Sequence, residues 1–177
     1  YELYETLERR GKEAELASAK ATEIAAGDLA IMRQHTPLGL GHAVWCARDF
    51  IGNEPFAVIL PDDVILSKTP ALKQMVDAYS KVGGNMVAVE EVPMEQVHRY
   101  GILDVDQDDG KIASAKGLVE KPNAEDAPSN LSIIGRYILQ PEIFDILDKR
   151  ETGAGGEIQL TDAIAKMIGP MPFHGFR

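Results

Sequence analysis

The chain has 177 residues, 45% of them hydrophobic and 26% charged, enough for one domain with a substantial core. Its 18 basic and 28 acidic residues leave a formal net charge of -10, which argues against binding long nucleic acid or an anionic membrane through bulk charge. Cys46 is the only cysteine, so a disulfide framework is excluded and a cytoplasmic setting is expected; no apolar run approaches the roughly 18 residues of a membrane span.

Residues 2–26, rich in Glu, Ala, Leu and Lys with Gly11 as the one interruption, predict one helix or two short ones. "LAIMRQ" (29–34) predicts a short strand. Residues 40–50 follow a helical pattern, with Ala43, Val44, Ala47 and Phe50 on one face. "PFAVILPDD" (55–63) is a continuous apolar run ending in acids, as expected of a strand buried on both faces. Residues 70–84 predict a helix opened by Pro70 and closed by glycine. "NMVAVEEV" (85–92) predicts another buried strand. This alternation of strand and helix argues for crossovers and a largely parallel sheet.

The second half predicts a hairpin, "GILDV" and "IASAKGLVEK" joined at Asp109–Gly110, then a strand in "LSIIGRYIL" (131–139). Helices are expected at 141–150 and 157–169. The latter puts Ile158, Thr161, Ile164 and Ala165 on a packing face and leaves Asp162 solvated or structural. "PFHGFR" resembles the start of a strand. Both ends break off abruptly, so a segment of a longer protein is expected.

The stretches that can carry chemistry lie at element ends. Asp62 and Asp63 follow an apolar strand, where open sheets bind ligands, and a carboxylate there can hold a hard cation such as Mg²⁺. Two aspartates there can equally well serve a turn. Glu120 and Lys121 end the strand in "GLVEKP". A glutamate accepts hydrogen bonds from sugar hydroxyls and a lysine offers a point charge to phosphate, but both reach one ligand only if the strand end bends. The alternative is a solvated ion pair.

In "RQHTPLGLGHAVWCA", Gln34 could pair through its amide with a base edge. Gly39 would let a flat ring approach the main chain, or would serve only a strand-to-helix turn. The histidines at 35, 42, 98 and 174 have no metal-ligand spacing, and Cys46 reads as core. No Walker sequence or Gly-x-Ser-x-Gly elbow occurs.

Taken in order, "RQHTPLGLGHAVWCARDFIGNEPFAVILPDDVIL", "HRYGILDV", "GLVEKP", "APSNLSIIGRYIL" and "GAGGEIQLTDAI" closely resemble the bacterial sugar-1-phosphate nucleotidyltransferases, over essentially the whole chain. The match is nearest to their uridylyltransferase branch, which forms UDP-glucose and pyrophosphate from UTP and glucose 1-phosphate with Mg²⁺. The resemblance implies an α/β, Rossmann-like nucleotidyltransferase fold: one domain over 1–177, with a mixed, mostly parallel sheet flanked by helices. It also implies a cytoplasmic homo-oligomer whose partners are those two small substrates.

By the same resemblance Gln34 and Gly39 hold uracil, and Asp62 is a catalytic residue that binds the metal. Tyr100 and Gly101 line the sugar, Glu120 binds its hydroxyls, catalytic Lys121 binds its phosphate, and Ile133 and Ile134 form an apolar wall. The family's glycine-rich phosphate loop and second metal aspartate have no counterpart in these 177 residues. On that ground, activity of the segment alone is not expected. A dTTP-using sister enzyme and a non-catalytic sugar-nucleotide-binding module are the alternatives.

Overall fold

The structure is a computed structural model that describes residues 2–177. The chain forms two compact units, divided between Arg33 and Gln34.

In the first unit, α1 (Glu2–Arg9) and α2 (Glu13–Lys20) reverse at Gly11, whose φ of +65° suits a residue without a Cβ. Glu2 and Glu5 in the first turn of α1 and Arg9 in its last complement the helix dipole. Neither helix buries a side chain. The strand expected at 29–34 does not form: the segment runs without regular structure and leaves Ile31 87% exposed. Its β-propensity finds no neighbouring strand to pair with, and a strand without a ladder has little to hold it.

The second unit is built on a six-stranded sheet comprising β1 (Phe56–Ile59), β2 (Asn85–Glu91), β3 (Gly101–Asp108), β4 (Ile112–Glu120), β5 (Leu131–Leu139) and β6 (Phe173–Phe176). The order is β1-β5-β2-β6-β4-β3, and β3 also meets β5 through Ile102 and Ser132. The sheet therefore closes on itself, with β1 as an outer edge. The β3–β4 hairpin turns at Asp109–Gly110 as expected, with the Asp109 carboxylate accepting from the amides of Lys111 and Ile112 at 2.8 and 2.7 Å.

The sheet is mixed, but not mostly parallel: β2–β6 is the one parallel pairing among the described strands. The reason lies in β5. Strands β1 and β2 do run the same way, as a crossover requires, yet β5 from the second half of the chain inserts between them antiparallel to both. The "PFAVI" strand is likewise an edge, alternately half-buried and exposed, rather than interior. Its apolar run resembles a central strand because Phe56 stacks on Phe144 at 5.1 Å and Val58 packs on the core, not because both faces are covered.

Strand β2 does meet the expectation of two buried faces. Val87 and Val89 point into one apolar cluster, Met86 and Ala88 into another. The first cluster is roofed by α3 (Leu40–Trp45), α6 (Ile143–Leu147) and α7 (Leu160–Ala165), the second by α5 (Ala71–Val82). The helix expected over 40–50 is split into α3 and α4 (Arg48–Ile51), and Phe50 is exposed rather than on a packed face. The helices at 141–150 and 157–169 are shorter than their patterns suggested.

Candidate functional site

A cavity of about 180 Å³ opens where the start of β3, the end of β4, the middle of β5 and the first turn of α7 meet. Gly101, Glu120, Ile133 and Thr161 border it together. A Cβ on Gly101 would stand 3.1 Å from the Thr161 methyl, 3.3 Å from Glu120 Oε2 and 3.5 Å from Ile133 Cδ1. Glycine here keeps open the space between an acid and an apolar wall. Tyr100, Leu40 and Asp63 complete the mouth.

The end of β4 bends, as a shared role for Glu120 and Lys121 demands. Lys121 adopts φ +48°, a left-handed conformation uncommon for a residue with a Cβ, and its amide donates to the Tyr100 carbonyl at 2.9 Å. Glu120 turns inward with its side chain 14% exposed. The Lys121 ammonium stands 3.6 Å from Glu120 Oε1 on a side chain 55% exposed. Such an open pair contributes little to stability, so the strained backbone is better explained by where it delivers two opposite charges.

The loop after β1 is strapped to β5. Leu60 donates its amide to Gly135, and the Arg136 guanidinium donates to the carbonyls of Leu60, Gly135 and Asp63. Gly135, at φ +45°, is required: a Cβ would fall 2.4 Å from Asp63 Oδ2. Asp63 thus reaches the cavity, whereas Asp62, likewise exposed in the turn beside it, does not line it.

Buried Tyr137 lines the cavity together with Glu120 and Asp63. Its phenol is pushed up to about 12, first by burial and then by the charges of Glu120, Asp63 and Asp62. It therefore remains a neutral hydrogen-bond donor among three carboxylates.

Gln34 and Gly39 form their own group next to the Leu40 wall. Gln34 Nε2 donates to the Gly39 carbonyl at 3.1 Å and lies 2.8 Å from His42 Nδ1. Gly39 and Gly41 have a packing reason to be bare. Cβ atoms there would meet the Ile158 carbonyl at 2.9 and 2.7 Å, while Ile158 donates to Leu38 and Gly41 donates to Ile158. Ile134 is not part of the cavity wall. Adjacent strand residues face opposite ways, so it packs on the second cluster while Ile133 lines the cavity.

Arg136, Tyr137, Gly135 and Thr161 are the residues whose place the sequence did not reveal; Asp63 was expected beside Asp62 at the strand end. Thr161 sat on an expected packing face. Its methyl does approach Gly101, but its hydroxyl is buried without a hydrogen-bond partner among the described residues. Tyr137 carried a signal, a phenol two residues after glycine in a largely apolar strand, but not its neighbours. Larger clefts of about 350 Å³ by α7 and 380 Å³ beside β4 and β6 contain none of the expected site residues.

A metal would find hard oxygen donors in Asp62 and Asp63. No cluster of three or more His, Cys, Asp or Glu side chains suited to a metal occurs among the described residues. That donor set fits Mg²⁺, which takes one or two carboxylates and completes its shell with water and phosphate. No helix among the described residues is long and apolar enough to cross a membrane.

The chain is 54% identical, over its whole length, to a UTP–glucose-1-phosphate uridylyltransferase of Komagataeibacter xylinus, covering 62% of that protein. It is 51% identical over 166 residues to that of Bacillus subtilis, covering 94% of this chain and 56% of that one. Among solved structures, a UDP-glucose pyrophosphorylase complexed with UDP-glucose superposes with a TM-score of 0.79 at 45% identity, over 84% of this chain and 57% of the other. A UTP-bound enzyme from Acinetobacter baumannii gives 0.78 at 38% identity, over 99% and 61%. The chain thus spans 56–62% of the length of these two curated relatives. The family described as nucleotidyl transferase matches residues 7–172, and the chain belongs to that family.

Proposed function

We propose that the chain carries the sugar- and base-binding part of a UTP–glucose-1-phosphate uridylyltransferase, within one nucleotidyltransferase domain. The observation that carries this reading is the bent end of β4, which brings Glu120 into a cavity bordered by Gly101 and Ile133 while Lys121 stays beside it. Relatives about half identical bear that enzyme's name, and one similar structure holds UDP-glucose.

In this reading a phosphate oxygen of glucose 1-phosphate attacks the α-phosphorus of UTP. The bond to the bridging oxygen of the β-phosphate breaks, and pyrophosphate leaves with that electron pair. The protein's task is to position two polyanions and neutralise them. Glu120 accepts from sugar hydroxyls, and Gly101 permits close approach of the sugar ring to the main chain. Tyr100 and Ile133 wall the ring. Lys121 attracts the sugar phosphate. Tyr137, neutral at physiological pH, offers a donor on the side of the aspartates, and Gln34 with Gly39 receives the uracil.

Asp62, with Asp63 beside it, would hold Mg²⁺, whose charge when bound offsets that of the triphosphate. The reading carries with it the cytoplasmic setting and homo-oligomer expected of the family. Pyrophosphate release by the full-length protein from UTP and glucose 1-phosphate is the test. Preference for dTTP would instead assign the thymidylyl sister activity. Tight UDP-glucose binding without turnover would make the protein a binding module.

A further inference from the structure

We propose that His42 is a positioning residue that, together with the Gly39 carbonyl, holds the Gln34 amide with its oxygen toward the nucleobase, and so selects bases bearing a ring N–H. The inference rests on the reading of Gln34 as the base-contacting residue. The Gln34 amide nitrogen lies 3.1 Å from the Gly39 carbonyl oxygen and 2.8 Å from His42 Nδ1. A carbonyl oxygen can only accept, so the end of the amide that faces it is the NH₂. The second amide hydrogen then points to His42 Nδ1, which must carry a lone pair, and the neutral ring keeps its proton on Nε2. Both amide hydrogens are thereby used. Oε1 of Gln34 accepts no hydrogen bond among the described residues and is left for a donor from a ligand.

The consequence is a polarity for the base site. Uracil and thymine present N3–H to an acceptor, whereas cytosine presents a lone pair at N3. A lone pair set against Oε1 leaves two acceptors facing each other, which a built hydrogen-bonding site penalises. Without the His42 acceptor, one constraint on the amide is lost. The Gly39 carbonyl alone permits the side chain to swing, because a single hydrogen bond leaves rotation about that bond free.

The imidazole is itself held in place. His42 is 8% exposed on α3, and its ring stacks on Trp45 with centroids 5.6 Å apart and 17° between planes. The Trp45 indole N–H donates to Asp148 at 2.6 Å, and the guanidinium groups of Arg48 and Arg150 lie 3.8 and 4.5 Å from its ring centroid. The α3 backbone is pinned through Gly41, whose amide donates to Ile158 at 2.9 Å. The histidine's hydrogen-bond partner among the described residues is Gln34, so its polar atoms serve the loop rather than a distant core network.

The test is nucleotide preference in the full-length protein, measured as kcat/KM for UTP against CTP. His42→Leu removes the acceptor; His42→Asn restores one, since Asn Oδ1 and His Nδ1 are both bonded to Cγ. We expect His42→Leu to lower the UTP preference roughly tenfold or more, through KM for UTP, and His42→Asn to stay within about threefold of the parent. KM for glucose 1-phosphate should not move in either variant. Nitrogen-15 spectra of the unaltered protein should show His42 protonated on Nε2 alone. An unchanged preference in His42→Leu, an equal loss in His42→Asn, or a proton on Nδ1 each overturns the proposal. If His42→Leu does not fold, the spectrum and the asparagine variant decide it. Gln34→Ala separates the underlying reading: unchanged preference there removes Gln34 from the base site, whatever the spectrum shows.

Discussion

Arg136 on β5 donates through its guanidinium to the main-chain carbonyl of Asp63, and so ties an interior strand of the sheet to the loop that carries the aspartate pair. The same guanidinium donates to Leu60 at 2.8 Å and to Gly135 at 3.0 Å. Hydrogen bonds from a charged group contribute about 1.5–3 kcal/mol when intact. Arg136→Leu should therefore lower stability by about 2 kcal/mol in urea melts. It should raise the Mg²⁺ concentration needed for half-maximal turnover, because the aspartates lose their anchor. A variant as stable as the parent with the same metal requirement would show that the strap has no such role.

Lys121 separates stability from activity at one position. Its left-handed φ of +48° is costly for a residue with a Cβ. Lys121→Gly should relieve that strain, worth about 1 kcal/mol, and roughly offset glycine's greater freedom in the unfolded chain. Denaturation midpoints should therefore stay near the parent's. Turnover in the full-length protein should fall by about a hundredfold, as when one preorganised donor to transition-state charge is lost. A stable variant with parental kcat would remove Lys121 from the chemistry.

Gly101 should govern sugar binding by shape. In Gly101→Ala the new methyl would sit 3.1 Å from the Thr161 methyl and 3.3 Å from Glu120 Oε2, within the space assigned to the hexose. KM for glucose 1-phosphate should rise by about tenfold or more, the scale of one misplaced methylene, while KM for UTP stays close to the parent's. Parallel increases in both constants would indicate a general distortion.

His174 should make stability pH-dependent. Both ring nitrogens are buried without hydrogen-bond partners among the described residues, and burial holds the imidazole below its usual pKa of about 6.5. On acidification the unfolded chain takes up this proton first. The contribution is therefore fully present above the unfolded value and is lost as pH falls from about 6.5 through the folded one. Urea midpoints of His174→Leu should decline less than the parent's over that interval. Identical slopes for the two proteins would exclude this histidine as the cause.

Much of the fold was legible because local physics carried it. Pro70 and Gly83 bracket α5, Asp109 and Gly110 turn the β3–β4 hairpin, and the double-sided apolar pattern of β2 reports two covered faces. The order of the strands was not legible. Helix–strand alternation specifies that β1 and β2 run the same way, but not which strand lies between them. That choice depends on β5, more than forty residues later in the chain, whose own pattern fits several registers.

The same division runs through the site. The sequence by itself determined that this is an acidic α/β chain with carboxylates and a lysine at strand ends, and its motif order carried the resemblance from which roles toward base, sugar and phosphate were expected. Tertiary structure decided which of them meet. It turned Ile133 toward the cavity and Ile134 away, because neighbouring strand residues alternate faces. It bent Lys121 back beside Glu120, and it set Asp63 over Gly135 where a Cβ would collide. It also brought Tyr137 among the acids and His42 against Gln34. These relationships join residues distant in sequence or depend on backbone torsions, and such contacts form only when side chains must share one close-packed interior.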